Sequence, residues 1–471
     1  MIVNIFEYNL LDMKIKIFSQ FILLCFFVGA SAQKNITTDA VKNAFETAKT
    51  ENKIVMAIVQ SGNCNQCNEV AEKGISSESA KKSIQANCIV VKLQEKELES
   101  YSLVSLAFFS KDFFGTIFFD GDKNILDVMP GSTSMSSAYH DHIEKALKEK
   151  NTISENFAVL KKNYFINIGN FSTNMKLIAK ILSFQLEPSQ ELVDELTVRA
   201  PLDSASSISF LQFIMRAAPM VGSNAQAYIN KVSDNYNMAW YRMSLQERMK
   251  INGRIGNKSL QKAIQDKDRN YAYQVASFKQ QTYNRNYEEG QKANQQVMLE
   301  YYRGVNDTAD YLKNVSLFYE KYYMTISAEK VKQEDSAQLK AMLKQAPAVD
   351  TVRESNDKKT FIVKKAVSFA PRGQYYANAL NEGAWTVYTY TKDINYLKKA
   401  MSWAKHGLEL YQSPEVMDTY ARLLYKTNNT EEAILCEQKA IDLKKSTKYS
   451  ATEFEKILAA MQKGESKIDE Y

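Results

Sequence analysis

The chain has 471 residues, of which 45% are hydrophobic and 24% are charged, as is typical of a globular protein long enough for two or three domains. The formal net charge of +6 is spread along the sequence without a basic cluster, so we expect no nucleic-acid partner. The sequence contains 16 Gly and 7 Pro, and so few helix breakers favour long helices over most of the chain.

The N-terminus has the three parts of an export signal. Basic residues at 14 and 16 precede an apolar run at 21–28, and Ala30-Ser31-Ala32 forms a cleavage site of small residues. We therefore predict a signal peptide at residues 1–32 and export to the periplasm or cell envelope. The apolar run is shorter than the roughly 20 residues that span a bilayer, so we expect no stable membrane insertion after cleavage. An uncleaved anchor is the alternative.

Residues 37–150 alternate between helical and strand patterns. A helix whose N-cap is Thr38 or Asp39 comes first, and a short apolar run predicts a buried strand after it. The predicted order is helix, strand, helix, strand, helix, strand, turn, strand and helix, at residues 40–48, 53–60, 64–85, 88–93, 95–109, 115–119, 120–124, 125–129 and 134–150.

Two cysteines, Cys64 and Cys67, stand where the first strand meets the second helix. Free N–H groups and the dipole at a helix N-terminus favour an anion, so the first thiol ionises more easily there. The second sulfur lies one turn further on, close enough to close a disulfide ring. This pattern predicts thiol–disulfide chemistry.

The element order and the Cys pair resemble the thioredoxin fold over about residues 37–150, roughly a quarter of the chain. The resemblance implies that the thiolate of Cys64 attacks a target disulfide and that Cys67 resolves the mixed disulfide. The implied partners are protein thiols and disulfides, and we expect no cofactor.

The sequence departs from the thioredoxin pattern around these cysteines. Asn63 stands where the family usually has Trp, residues 65–66 are Asn-Gln instead of Gly-Pro, and Ile58 occupies the position of a buried acid. Gly115, before Thr116, replaces the cis-proline that faces the active site. We predict that Asn63, Gly115 and Thr116 contact the substrate. The departures also permit a Cys pair that is structural or slow.

Other chemically distinctive residues have simpler interpretations. Cys88 begins a strand and is predicted to be an inert core thiol. His140 and His142 are two apart on a helix, so we expect surface histidines on different faces. Asp120 and Asp122 fit a turn better than a calcium loop. Metal binding by the Cys pair is a remaining alternative, although two thiolates fill only half of a tetrahedral site, so we predict no metal site.

Beyond Lys150 the strand signals fade, and residues 151–375 are predicted to form successive helices. Their many tyrosines could bind sugars or peptides, but we expect most of them to pack between helices. The polar stretch at 333–357 is predicted to be a loop or an exposed helix end, with a boundary near it.

The last hundred residues contain an internal repeat. Small and apolar positions at 400–410 recur 33 residues later at 433–443, and residues 418–443 resemble a tetratricopeptide repeat closely. An earlier copy at about 379–410 fits less well. Such repeats form concave surfaces that hold protein partners. Cys436 falls at a packed helical position and is predicted to be a buried thiol.

These features together predict an α/β thioredoxin-like domain at 33–150, a helical region at 151–375 and tetratricopeptide-like helices at 376–471. The chain thus resembles exported bacterial thioredoxin-like proteins with a helical C-terminal region. The resemblance implies an envelope thiol–disulfide oxidoreductase whose helical region positions a protein partner. The alternative is a non-catalytic interaction protein in which both parts only bind partners.

Overall fold

The computed structural model describes residues 38–471 except 63, 95–96, 98–112, 153–155, 202, 205–206, 232, 346–348, 356–357, 365–368, 448–449, 467 and 469–471. The predicted signal peptide, Asn63 and nearly all of the helix predicted at 95–109 lie outside these residues. The described part is mostly helical, with a small four-stranded mixed sheet in its N-terminal region. The chain divides between residues 200 and 201 into two compact units.

The first unit contains four strands and seven helices within its described residues. In chain order they are α1 (Thr38–Thr50), β1 (Ile54–Gln60), α2 (Asn65–Ile75), α3 (Glu78–Asn87), β2 (Cys88–Gln94), β3 (Gly115–Phe119), β4 (Ile125–Pro130), α4 (Ser136–Lys150), α5 (Phe157–Ile166), α6 (Phe171–Ser183) and α7 (Gln190–Val198).

The sheet has the order β2-β1-β3-β4. Strand β1 is parallel to β2, and β3 is antiparallel to both β1 and β4. The first six residues of β1 are buried, as expected for a central strand covered on both faces. The register pairs Val59 with Gly115 and Ile58 with Thr116, so the start of β3 lies beside the end of β1.

Helices cover both faces of this sheet. On one face, Phe45 of α1 packs edge-on against Phe119 of β3 with ring centroids 5.7 Å apart. On the other face, Met56 and Ile58 of β1 join the buried side chains of α3 and α4, among them Ile84 and Ile143. The hydrophobic core of this unit therefore lies in two layers around β1.

The turn between β3 and β4 is the predicted one. Asp120 Oδ1 accepts hydrogen bonds from the backbone N–H groups of Asp122 at 2.9 Å and Asn124 at 2.8 Å. These bonds confirm that Asp120 serves turn geometry, whereas the side chain of Asp122 forms an ion pair with Lys49 at 2.7 Å.

The single helix predicted at 64–85 is wrong, because two helices occupy this stretch. α2 ends at Ile75, and Ser77 starts α3 by accepting a hydrogen bond from the N–H of Ala80 at 3.3 Å. Gly74, just before the break, is so close to α4 that an added Cβ would lie 2.5 Å from the Tyr139 ring. Close helix packing and a serine cap together set the break.

The second unit contains thirteen helices and one hairpin among its described residues. They are α8 (Ile208–Arg216), α9 (Asn224–Asn230), α10 (Ser233–Arg242), α11 (Leu245–Asp266), α12 (Arg269–Gln281), α13 (Tyr287–Gly304), α14 (Thr308–Tyr322), α15 (Ala328–Gln345), β5 (Val349–Ser355), β6 (Lys358–Lys364), α16 (Arg372–Tyr390), α17 (Ile394–Leu410), α18 (Pro414–Lys426), α19 (Thr430–Ser446) and α20 (Thr452–Gln462). None of the helices in the described part is long and apolar enough to cross a bilayer.

The hairpin corrects two predictions for this part of the chain. Residues 151–375 were expected to be helical, and residues 333–357 were expected to be a loop or an exposed helix end. Strands β5 and β6 pair antiparallel from Val349 with Lys364 to Ser355 with Lys358. The run Thr360-Phe361-Ile362-Val363 is β-branched and aromatic, which was a strand signal that the charged surroundings outweighed.

The tyrosines of α14 and the two at the end of α13, Tyr301 and Tyr302, are confirmed as packing residues. Tyr319 lies against Trp403 of α17 with ring centroids 4.9 Å apart, in a buried cluster that includes Tyr301 and Tyr322. Some tyrosines outside this cluster, such as Tyr241 and Tyr287, are exposed.

The internal repeat falls on two helix pairs, α16–α17 and α18–α19. Ala400 and Ala433 occupy the same position in the two pairs, and both are fully buried. Gly407 is matched by buried Ala440. Small residues therefore lie at the helix contacts of both copies.

Candidate functional site

Cys64 and Cys67 form a disulfide at the junction of β1 and α2, with their Cα atoms 5.2 Å apart. Cys64 is the N-cap residue of α2, and its Sγ accepts a hydrogen bond from the N–H of Cys67 at 3.2 Å. The first turn of α2 contains no acidic residue. The backbone donors and the helix dipole at this position favour the thiolate form of Cys64 when the pair is reduced.

A side-chain amide holds the loop that carries the pair. Asn68 Oδ1 accepts from the N–H of Ser61 at 2.9 Å, and Asn68 Nδ2 donates to the carbonyl of Ser61 at 2.9 Å. This pair of bonds, here called the Asn68 clasp, joins the end of β1 to the first turn of α2. Sequence analysis missed Asn68, although an asparagine one residue after the second cysteine was a visible signal.

A narrow cleft lies beside Cys67. Asn68, Phe114, Gly115 and Thr116 are among the residues that line it. The sheet register therefore brings two of the predicted substrate-binding residues to the Cys pair. Thr116 is 1% exposed and contributes to the wall of the cleft, whereas Asn63 lies outside the described residues. Substrate binding by these three residues stays a prediction.

Gly115 has a backbone conformation that only glycine adopts readily, with φ at +144°. An added Cβ would lie 2.4 Å from the carbonyl oxygen of Met129 and 2.9 Å from the nitrogen of Gly131. The glycine is therefore required by the close approach of β4.

An ion pair lies next to the cleft. Glu72, which also lines the cleft, faces Lys92 of β2 with Oε1 and Nζ 2.6 Å apart. Lys92 is paired in register with Ile58, which stands at the position where the resembled family has a buried acid. Glu72 thus supplies a carboxylate to the cleft from α2. Its spacing of two helical turns from Cys64 was the signal that sequence analysis overlooked.

The other two cysteines in the described residues are not poised for exchange. Cys88 is buried, as predicted, and burial raises the pKa of its thiol to about 12. Cys436 is half-buried, less than predicted, and lies 3.5 Å from the carbonyl of Met417. Burial, followed by the nearby Glu437 charge, raises the pKa of the Cys436 thiol to about 12 as well.

The prediction of two surface histidines is correct for His140 and wrong for His142. His140 is exposed, but the His142 ring stacks on Phe118 and its Nδ1 lies 2.6 Å from Asp127 Oδ2. Asp127 is buried in β4 and needs a polar partner. The described residues contain no cluster of three or more His, Cys, Asp or Glu that could hold a metal ion.

Comparisons with known proteins add no assignment to this geometry. The chain matches no protein-family model, and a search of curated proteins found no significantly similar sequence. The site is therefore interpreted from its own residues.

Proposed function

We propose that this protein is a thiol–disulfide oxidoreductase of the exported thioredoxin-like type. The observation that carries the proposal is the Cys64–Cys67 disulfide at the N-cap of α2. The sheet order β2-β1-β3-β4, with β3 antiparallel to its neighbours, is the arrangement expected of a thioredoxin-like fold and supports it.

The proposed reaction starts from the reduced pair. The Cys64 thiolate attacks one sulfur of a target disulfide, and the other target sulfur leaves as a thiolate and takes up a proton. Cys67, deprotonated, then attacks the Cys64 sulfur and releases the second target thiol. The target gains two electrons, and the pair ends as the disulfide seen in this structure. The reverse sequence oxidises a dithiol target.

We propose that the helical second unit binds the protein partner. The tetratricopeptide-like pairs α16–α17 and α18–α19 support this role, since stacked helix pairs of this kind present extended surfaces to other proteins. The proposed location is the periplasm or cell envelope, on the basis of residues 1–32. Fractionation of expressing cells tests the location, and a cytoplasmic full-length chain would contradict it.

A redox titration in glutathione buffers, followed by alkylation of free thiols, tests the proposed activity. We expect one two-electron transition within roughly −270 to −120 mV, the span of related dithiols. Cys64→Ser should abolish the transition, and Cys436→Ser should leave it unchanged. A Cys pair that stays a disulfide, or stays reduced, over this whole range would contradict the proposal.

The second candidate is a non-catalytic interaction protein. The conformation of Gly115 favours it, because the cis-proline that shapes substrate binding in the resembled family is absent here. A titration without a transition, together with retained binding of a partner, would support this candidate.

A further inference from the structure

A cavity of about 410 Å³ lies within the second unit, between helices α8 to α12. This volume is in the range of clefts that bind small ligands. The cavity is separate from the Cys pair in sequence and belongs to the other compact unit. Its floor is apolar and buried, with Met215, Ile229, Ile251 and Ile255 among its residues.

Aromatic rings form part of the wall. Tyr236 and Trp240 of α10 lie nearly parallel, with an interplanar angle of 12° and ring centroids 6.1 Å apart, and both line the cavity. Phe278 of α12 lines it as well. Aromatic surface of this kind packs well against flat, weakly polar faces of a ligand.

Carboxamide side chains supply most of the polar lining. Five of them border the cavity, namely Gln226, Asn230, Asn252, Gln274 and Gln281. Each carboxamide carries two donor hydrogens and an acceptor oxygen. Gln226 and Asn252 are half-buried and the other three are exposed, so a wholly apolar ligand would strip water from part of this polar lining, which is costly. A ligand that offers hydrogen bonds around an apolar surface therefore fits the lining better.

None of the described residues that line this cavity carries a charged side chain. An ammonium group would meet no carboxylate among these lining residues, and a phosphate or carboxylate would find a cation only beyond the wall, at Arg248, which lies 6.0 Å from the Trp240 ring centroid. The lining thus disfavours nucleotides, amino acids and other charged metabolites.

We propose that this cavity binds a neutral saccharide. The C–H face of a pyranose ring matches the aromatic wall, and its hydroxyl groups, which both donate and accept, match the carboxamides. An extended uncharged peptide offers a similar hydrogen-bonding pattern along a line and is the competing occupant. The proposal does not depend on redox activity of the Cys pair.

Isothermal titration and saturation-transfer NMR of the purified full chain test the proposal, with chitotriose, cellotriose and maltotriose as probes. We expect at least one trisaccharide to bind at millimolar concentration or below. Tyr236→Ala should weaken that binding at least about tenfold, which corresponds to ~1.4 kcal/mol. Tyr287→Ala is the matched control, since this tyrosine is 73% exposed and does not line the cavity.

A second variant covers the case in which Tyr236→Ala does not fold. Gln281 is exposed at the end of α12, so Gln281→Ala should preserve the fold and still weaken binding several-fold. Absence of binding by all three trisaccharides would overturn the proposal. So would binding that both cavity variants leave intact, or displacement of the sugar from the cavity by an uncharged peptide of Gly, Ser and Ala that binds more tightly.

Discussion

Asn68 and Ser61 exchange two hydrogen bonds of 2.9 Å across the segment that carries Cys64 and Cys67. The Asn68 side chain thus both accepts from and donates to the Ser61 backbone, as a neighbouring strand would. Neither bond involves a sulfur atom, so we expect both bonds in the reduced form as well. The reduced pair depends on them more, because the disulfide is itself a restraint on residues 64–67.

Replacing Asn68 with Ala is expected to destabilise the first unit by about 1–3 kcal/mol, because the two hydrogen bonds between Asn68 and the Ser61 backbone are lost. The substitution should lower the stability of the dithiol form more than that of the disulfide form. The reduction potential should therefore become more negative, by roughly 20 mV for a difference of about 1 kcal/mol. The measurements are chemical unfolding and the glutathione titration. Gln85→Ala, an exposed change in α3 outside this segment, is the control and should leave the potential unchanged.

Gly115→Ala is expected to cost at least about 2 kcal/mol of unfolding free energy, because the new Cβ meets the Met129 carbonyl in a strained backbone conformation. Gly115→Pro should lower the unfolding free energy further, since proline fixes φ near −65°. Thermal unfolding measures both. Gly62→Ala is the matched control, because nothing lies within 4 Å of the position of its added Cβ. Equal losses at the two glycines would contradict this account of the cleft.

Glu437 is 0% exposed, and no donor within the described residues hydrogen-bonds to either of its carboxyl oxygens. Burial and then the Asp418 charge raise the pKa of Glu437 from its ordinary value of 4.5 to about 9, although Arg422 opposes this. Between these two values the unfolded chain releases a proton that the folded chain keeps, so stability falls as pH rises through the window.

Glu437→Gln should remove that slope and stabilise the second unit at pH 7 by on the order of 2 kcal/mol. Glu415 is the control, because its pKa is shifted in the opposite direction. Burial raises the pKa of Glu415, but hydrogen bonds from Lys444 and Ser413 outweigh it and lower the pKa overall. Glu415→Gln should therefore lose stability at pH 7. Unfolding at several pH values measures both variants, and an unchanged slope in Glu437→Gln would show that the carboxyl is already ionised.

Two helical glycines should respond oppositely to alanine. An added Cβ at Gly383 would lie 2.3 Å from the Tyr319 ring, within the aromatic cluster, so Gly383→Ala should destabilise the second unit by about 1–3 kcal/mol. Gly253 of α11 has nothing within 4 Å, so Gly253→Ala should stabilise it by about 0.5–1 kcal/mol. Urea unfolding followed by tryptophan fluorescence measures both changes. Destabilisation by both would mean that α11 packs more tightly than described.

The sequence was informative where one physical signal dominated. The apolar run at 54–59 predicted a buried strand, and the glycine–aspartate turn at 120–124 predicted the hairpin of β3 and β4. The end of α2 could not be predicted, because it depends on Gly74 meeting Tyr139 of a helix some sixty residues away. The side-chain partners of Asn68 and His142 likewise depend on tertiary contacts, so the sequence could not predict them. The hairpin β5–β6 was missed because strand propensity competed with a highly charged context.

The burial of Cys88 and Cys436 makes these thiols built-in reporters. At a pKa of about 12, only about one thiol in 10⁵ is ionised at pH 7, so alkylating reagents react with them very slowly in the folded chain. Among the four cysteines of the described residues, rapid labelling of the native protein therefore reports the redox state of Cys64 and Cys67. Slow labelling of Cys88 would instead time the opening of the sheet, and that of Cys436 the separation of α18 from α19. One mass spectrum can thus follow redox state and local unfolding together.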